Sequence, residues 1–430
     1  MFAPAHVVHA PGRVNLIGEH IDYCGLPVLP MAIPRGIRLR LRPRADAEVR
    51  LTSADARFGT RRFALGPSIE PYGAGDWGNY AKAAAQALLR TGWLGDPARV
   101  RGLEGRIESD LPVAAGLSSS SALVVACALG LLAANGRGVD APPGRGETRP
   151  EPPRPGPMRP DRLDLARLLA RAERYVGTAG GGMDQAVCLL GREGAALRIE
   201  FAPLAVTRVS VPEGWVFLVA HSLRRAEKSG AAGALYNRRT AECRKALRRV
   251  RAALGSEGEA ERAPEADRER SPAADPAPAA GYRSLLAGHP AEELLDVGRR
   301  VLSSDLFARF RHVVTEAGRV DAAQDALERG DLPEFGACLA ASHASLRGDY
   351  GVSTPELDEL VELMEGSGAV GARLTGAGMG GCAIGVCERD RAPAVMDALA
   401  EGFYRPRSVG AGLSDILFTV RPAAGASVMS

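Results

Sequence analysis

The stretch that most restricts how this chain can fold runs from Leu111 to Ala134, LPVAAGLSSSSALVVACALGLLAA. A flexible glycine and four consecutive serines lead directly into an apolar segment, Ala122 to Ala134. At 13 residues that segment is too short to cross a bilayer, which takes about 20. It therefore reads as a helix buried within protein. Its N-terminus carries backbone N–H groups that lack helical partners, reinforced here by hydroxyls, a setting suited to phosphate. A serine hydroxyl there could also ligate Mg²⁺. The plainer alternative is a serine cap on a buried helix, but four serines exceed what one cap requires. Other phosphate schemes fail on inspection. A Walker A loop needs Gly-Lys-Ser/Thr, and none of Lys82, Lys228 and Lys245 follows a glycine. Protein-kinase His-Arg-Asp and Asp-Phe-Gly signals are absent, and no Gly-x-Ser-x-Gly elbow forms around Ser118.

At 430 residues the chain is long enough to favour two domains over one. Two segments stand apart: Gly136 to Pro160 and Gly255 to Gly281 are dense in proline, glycine and charge. Neither can bury enough apolar surface to offset chain entropy, so both are expected to be mobile surface insertions. Elsewhere strand-like and helix-like patterns alternate. Val49 to Thr52, Val216 to Ala220 and Cys382 to Val386 read as strands. Asp161 to Val176, Asp331 to Arg347 and Pro355 to Glu365 read as helices, with Asp161 placed to cap the first. The fold class is α+β.

Three further clusters carry candidate chemistry. Thr375 to Gly381, TGAGMGG, formally matches the dinucleotide pattern, but CAIGVC follows as a strand where that motif requires a helix. A tight glycine loop near a ligand or another backbone is the better reading, and a plain turn remains open. In GTAGGGMDQAVCLLG, Asp184 falls at the start of a short helix, where the helix dipole favours an ionised carboxylate. That suits a residue that accepts a proton or orients a hydroxyl; an ordinary first-turn acid is the alternative. Near the N-terminus, Arg13, Glu19, His20, Asp22 and Tyr23 crowd a turn between apolar segments. Carboxylates and a ring nitrogen are what several sugar hydroxyls need, and a solvated polar turn would look the same.

The formal net charge of +3 is too small to make nucleic acid or an anionic membrane the main partner. The seven cysteines are dispersed with no Cys-x-x-Cys pair, which fits reduced thiols in a cytoplasm rather than a disulfide framework. Cys382 and Cys387, five apart on a strand, are expected on opposite faces. No basic segment followed by an apolar run opens the chain, so no signal peptide is expected.

Together these segments resemble the GHMP kinases, and among them the galactokinases. GRVNLIGEHIDYCGLPVLPMAI (Gly12 to Ile33) is similar to the galactokinase signature, departing at Ile21, where the family usually has threonine. LPVAAGLSSSSA is similar to the ATP loop and RLTGAGMGGCAIGV to the third motif. Weaker similarity lies in WGNYAK (Trp77 to Lys82), YNRRTAEC (Tyr236 to Cys243) and SHASLRGDYGVSTPELDEL (Ser342 to Leu360). In the last of these Gly348 and Gly351 replace two acidic residues.

The resemblance implies a two-domain architecture with mixed and antiparallel sheets, residues 1–200 and 201–430, and an active site in the cleft between them. It implies ATP-dependent phosphorylation of the C1 hydroxyl of galactose, with Mg²⁺. Asp184 would be the base or would orient that hydroxyl, and Arg13 would stabilise the transferring phosphoryl and hold Asp184 ionised. Glu19, His20, Asp22 and Tyr236 would bind the sugar. Ala114, Ala115, Gly116, Leu117, Ser118, Ser119 and Ser120 would wrap the phosphates. Ser120 and Glu173 would hold Mg²⁺; Glu173 lies eleven residues before Asp184, so its match needs a one-residue gap, and a surface ion pair beside Arg174 is its alternative. An N-acetylgalactosamine kinase, a non-catalytic galactose sensor and a GHMP kinase for another metabolite are the competing functions. A cytoplasmic monomer is expected, with sugar and ATP as its small-molecule partners.

Overall fold

The computed structural model describes residues 5–112, 114–139, 160–177, 181–201, 203–225, 231–255, 279–410 and 412–429. Both proline- and charge-rich segments lie outside the described residues except at their edges. The strands are β1 (His6–Ile17), β2 (Leu29–Pro43), β3 (Glu48–Ser53), β4 (Arg61–Ala64), β5 (Leu103–Ser109), β6 (Ala195–Phe201), β7 (Leu204–Ser210), β8 (Trp215–His221), β9 (Gly371–Thr375), β10 (Cys382–Glu388), β11 (Leu417–Val420) and β12 (Ser427–Met429). The helices are α1 (Gly78–Arg90), α2 (Ser119–Ala134), α3 (Arg162–Ala172), α4 (Met183–Leu190), α5 (Ala231–Ala253), α6 (Ala279–Gly288), α7 (Ala291–Val301), α8 (Ser304–Arg329), α9 (Leu332–Ser345), α10 (Pro355–Ser367), α11 (Ala392–Leu399) and α12 (Leu413–Ile416).

A six-stranded sheet has the order β12-β1-β2-β5-β3-β4, and a four-stranded one the order β11-β8-β10-β9. Only the β3–β5 pair within these sheets is parallel, so the mixed and antiparallel expectation holds. The expected division near residue 200 falls within the β6–β7 hairpin. The last strand, β12, returns to pair with β1.

The apolar segment after the serines is helix α2, buried on nearly every side against β1, β2, α1 and α4. Each fully buried Leu or Val in it contributes about 1.5–3 kcal/mol of burial free energy, which pins its N-terminus in place. Asp161 caps α3 by accepting from Asp164 N–H at 2.7 Å. The predicted helix to Val176 tightens into a 3-10 turn at Glu173–Val176, and left-handed Gly177 ends it. The predicted helix to Arg347 instead widens into a π turn, Leu346–Tyr350, closed by Gly351 at φ 65°. Glycine suits that left-handed cap, and Gly348 faces open space. Cys382 and Cys387 are both buried on β10, which pairs on both edges, with β8 and β9. Among the described residues no helix is long and apolar enough to cross a membrane.

Candidate active site

Strand β1 breaks its register with β2 between Pro11 and Arg13 and again between Asn15 and Ile17. Bulges of this kind re-aim side chains, and here the first coincides with Arg13. Its Nε donates to Asp184 Oδ1 at 2.7 Å, and its Nη1 donates to the Gly116 carbonyl at 2.5 Å. One guanidinium thus joins the candidate base to the candidate phosphate loop. Arg13 is 5% exposed, so the pair operates away from bulk water, where a charge-assisted bond is stronger.

The loop from Ala114 to Ser118 bends through left-handed conformations at Ala114 (φ 54°), Gly116 (φ 74°) and Ser118 (φ 60°). Such residues are costly outside glycine. The bend delivers the chain to the first turn of α2, with Ala115 and Leu117 anchored in the core and Ser119 and Ser120 half-buried. Ser118 Oγ is buried with no hydrogen-bond partner among the described residues. An unsatisfied hydroxyl beside a helix N-terminus fits a polyphosphate acceptor.

Glu173 is buried rather than paired on the surface, which removes the Arg174 alternative. Its partner is Ser121, whose Oγ donates to Glu173 Oε1 at 2.5 Å. The same hydroxyl lies 3.5 Å from Asp184 Oδ2 and accepts from Gln185 Nε2 at 3.4 Å. Ser120 makes no such bond among the described residues. The fourth serine, absent from the expected set, is therefore the one that meets both carboxylates; its position on the helix face toward α4 was not marked by residue type. The Glu173 carboxylate and the neighbouring serine hydroxyls are hard oxygen donors of the kind Mg²⁺ takes alongside phosphate oxygens, so the residues fit that ion.

The sugar turn is more enclosed than a solvated loop. Glu19 Oε1 accepts from Gly376 N–H at 2.5 Å and lies 3.5 Å from Arg373 Nη2. Burial pushes the Glu19 carboxyl up, against the pull of Arg373 and Arg13. His20 sits at φ 63°, between the Tyr23 hydroxyl (2.9 Å from Nδ1) and the Ala377 carbonyl (3.2 Å from Nε2). Asp22 Oδ2 accepts from Gly181 N–H at 3.1 Å, and a Cβ at Gly181 would lie 2.6 Å from that oxygen. Burial and then the charge of Asp184 raise Asp22 to about 6. Tyr236 packs against His20 and Tyr23 with ring centroids 5.8 and 5.3 Å away. Burial, then Asp22 and Asp184, raise its phenol well above the ordinary value.

The second glycine cluster closes the arrangement. A Cβ on Gly376 would meet the Gly116 carbonyl at 2.7 Å, so two glycine loops touch at the point where Arg13 binds. Behind them Arg373, fully buried, donates to the Asn15 and Leu16 carbonyls. Glu316 accepts from Gly18 N–H and Ser342 Oγ. Sequence reasoning did not single out Arg373, Glu316 or His312. A charge inside the apolar strand GARLT was the one available signal.

Three family models match: the galactokinase galactose-binding signature over residues 2–43, the GHMP kinase N-terminal domain over 79–143, and the GHMP kinase C-terminal domain over 323–405. A galactokinase of Chloroflexus aurantiacus is 33% identical over 402 residues, covering 93% of this chain and 88% of its own length. The chain belongs to the galactokinase family. A Roseiflexus galactokinase is 35% identical over 403 residues, with the same coverage. The crystal structure of Lactococcus lactis galactokinase complexed with galactose covers 98% of this chain and 94% of its own at TM-score 0.78 and 28% identity. Mevalonate kinase of Methanococcus jannaschii, at 17% identity and TM-score 0.58, shares the fold alone. The family assignment accounts for the co-location of all three motifs.

Proposed function

We propose that this member of the family transfers the γ-phosphoryl of ATP to the C1 hydroxyl of galactose. The single observation that carries the reading is Arg13, which binds Asp184 and the Gly116 carbonyl at once. Phosphoryl transfer depends on positioning and on charge placed where charge develops. Asp184, held by Arg13 and seated in the first turn of α4, accepts the proton of the C1 hydroxyl as that oxygen bonds to phosphorus. The bond from the γ-phosphorus to the bridging oxygen breaks, and ADP leaves. Arg13 offsets the negative charge on the transferring group. The 114–118 loop and the N-terminus of α2 bind the phosphates, and Glu19, His20, Asp22 and Tyr236 hold the sugar.

Glu173, Ser120 and Ser121 would hold Mg²⁺, which supplies charge neutralisation to the phosphates. A monomer belongs to this reading, since one chain supplies every side chain of the site. So does a reducing cytoplasm, in keeping with seven unpaired cysteines. A sensor reading has no support here, because loop, arginine and acid are all in place.

The test is ATP-dependent phosphorylation of galactose and N-acetylgalactosamine side by side, with Asp184→Ala as control. The expected result is preference for galactose and a loss of about 10²–10⁴ in kcat for the variant, with nucleotide binding retained. Turnover undiminished in Asp184→Ala would defeat the assignment of the base. Preference for the N-acetyl sugar would defeat the substrate.

A further inference from the structure

We infer that Tyr23, backed by Tyr350 and Cys243, is a positioning residue: it donates to His20 Nδ1 and so holds the ring in the tautomer that the Ala377 carbonyl selects, with the proton on Nε2. The inference rests on the sugar-binding reading of His20 given above. It follows from counting protons along a buried chain. The Ala377 carbonyl, 3.2 Å from His20 Nε2, can only accept. Nε2 therefore carries the hydrogen. Burial, and after it the charge of His312, lowers His20 to about 3, so the ring has one proton to place. Nδ1 is then a bare lone pair and must accept from the Tyr23 hydroxyl at 2.9 Å. That spends the Tyr23 proton, so the 2.6 Å contact between Tyr23 and Tyr350 has Tyr350 as donor. Tyr350 in turn accepts from the Cys243 thiol at 3.1 Å. Each proton in the chain points toward His20.

The reverse order would place a His20 Nε2 lone pair against the Ala377 carbonyl oxygen. That carbonyl opposes reversal at the His20 end, and packing keeps the rest of the chain within hydrogen-bond reach. Tyr350 is fully buried, with its ring between His20 at 4.7 Å and His312 at 4.5 Å, and its carbonyl accepts from Arg239 Nε at 2.8 Å. Whatever oxygen meets Nε2, the Ala377 carbonyl or a sugar oxygen in its place, must accept. His20 thereby differs in kind from Glu19 and Asp22, whose carboxylates take the protons of hydroxyls. The sugar turn offers one donor between two acceptors; the Ala377 carbonyl places its proton, and Tyr23, donating to Nδ1, keeps it there when a sugar oxygen takes the carbonyl's place.

The tautomer is read directly by ¹⁵N NMR of histidine-labelled protein, with the His20 signals assigned by their loss in His20→Gln. The expected result is Nε2–H in the wild-type protein, both without sugar and with galactose. Tyr23→Phe is expected to mix the tautomers once galactose is bound and to raise the galactose KM about tenfold, with kcat changed less than about threefold. Tyr350→Phe is expected to give a smaller change of the same sign, and Cys243→Ser, which keeps a donor, to match wild type. An Nδ1–H signal in the sugar-free wild type overturns the inference without touching the assignment of the kinase. So does a Tyr23→Phe variant with wild-type tautomer and KM. A sugar-free Nε2–H signal in a protein that binds no galactose would uphold the tautomer and defeat the sugar reading instead.

Discussion

Asp22 is a candidate sugar ligand held in a state that costs the free protein stability. Its carboxyl titrates at about 6 against an ordinary 3.8, through burial first and the Asp184 charge second. The native state therefore binds more protons than the unfolded chain between about pH 4 and 6, and stability falls as pH rises through that window. The full difference corresponds to about 3 kcal/mol. Part of the residue remains open to solvent, which screens the interaction and reduces the figure to about 1–2 kcal/mol. Asp22→Asn keeps an oxygen for Gly181 N–H and removes the charge. The variant is expected to be more stable than wild type by that amount at pH 8, and to lose the advantage below pH 4. Urea unfolding of both proteins at pH 4, 6 and 8 measures it, and galactose titration is expected to show binding weakened about tenfold or more. A stability difference that is independent of pH, or a variant less stable at pH 8, would refute the electrostatic argument.

Ser121→Ala leaves a buried Glu173 without its donor; Mg²⁺ half-saturation is expected to rise about 10–100-fold, and an unchanged Mg²⁺ profile would show that Ser121 does not serve Glu173. Gly376→Ala puts a methyl 2.7 Å from the Gly116 carbonyl oxygen, at a left-handed φ of 85°. Unfolding measurements are expected to show a loss of about 1–3 kcal/mol, and kinetics a fall of about 10² in kcat/KM from the displaced phosphate loop; wild-type values in both would mean that the two glycine loops do not depend on each other.

Local chemistry made much of this protein legible. Asp161 caps α3 as its position before an apolar period requires; Asp331, read only as the start of a helix, caps α9 in the same way. The apolar run behind the serines could only be a buried helix. Helix ends were harder, because the last turns before Gly177 and Gly351 change pitch to satisfy tertiary contacts that no local pattern records. Within the site, each motif announced its residue types but not its partners. Ser120 and Ser121 are the same residue type, and only the angular position on α2 relative to Glu173 and Asp184 separates them. The last strand shows the same limit at larger scale, since nothing local in Ser427–Met429 points to a partner more than 400 residues earlier.

What the sequence does not display is where the structure departs from ordinary local preference, and four of the six non-glycine residues with left-handed backbone angles among the described residues lie at the site, Leu223 and Ser408 being the others. His20, Ala114, Ser118 and Met379 take left-handed backbone angles without being glycine, and each lies in one of the three loops that meet around Arg13 and Glu19. Conformations of that kind cost about 1–3 kcal/mol apiece and persist only where surrounding contacts over-determine them. Here those contacts are visible: the Ala377 carbonyl and Tyr23 on His20, the Val352 carbonyl on Met379 N–H at 2.7 Å, and the Gly116–Gly376 contact beside Ala114 and Ser118. Most of the buried charges collect in the same place, with Arg13, Glu19, Glu173, Glu316 and Arg373 all enclosed; Lys82, on α1, lies apart against the Glu70 carbonyl. Isolated, each would be expensive. Joined through Asp184, Ser121, Gly376, Gly18 and the carbonyls of β1, they hold a rigid set of donors and acceptors whose strain is offset by the large apolar core on either side. Loosening any one loop is therefore expected to release the others, although the three are spread over some 370 residues of sequence.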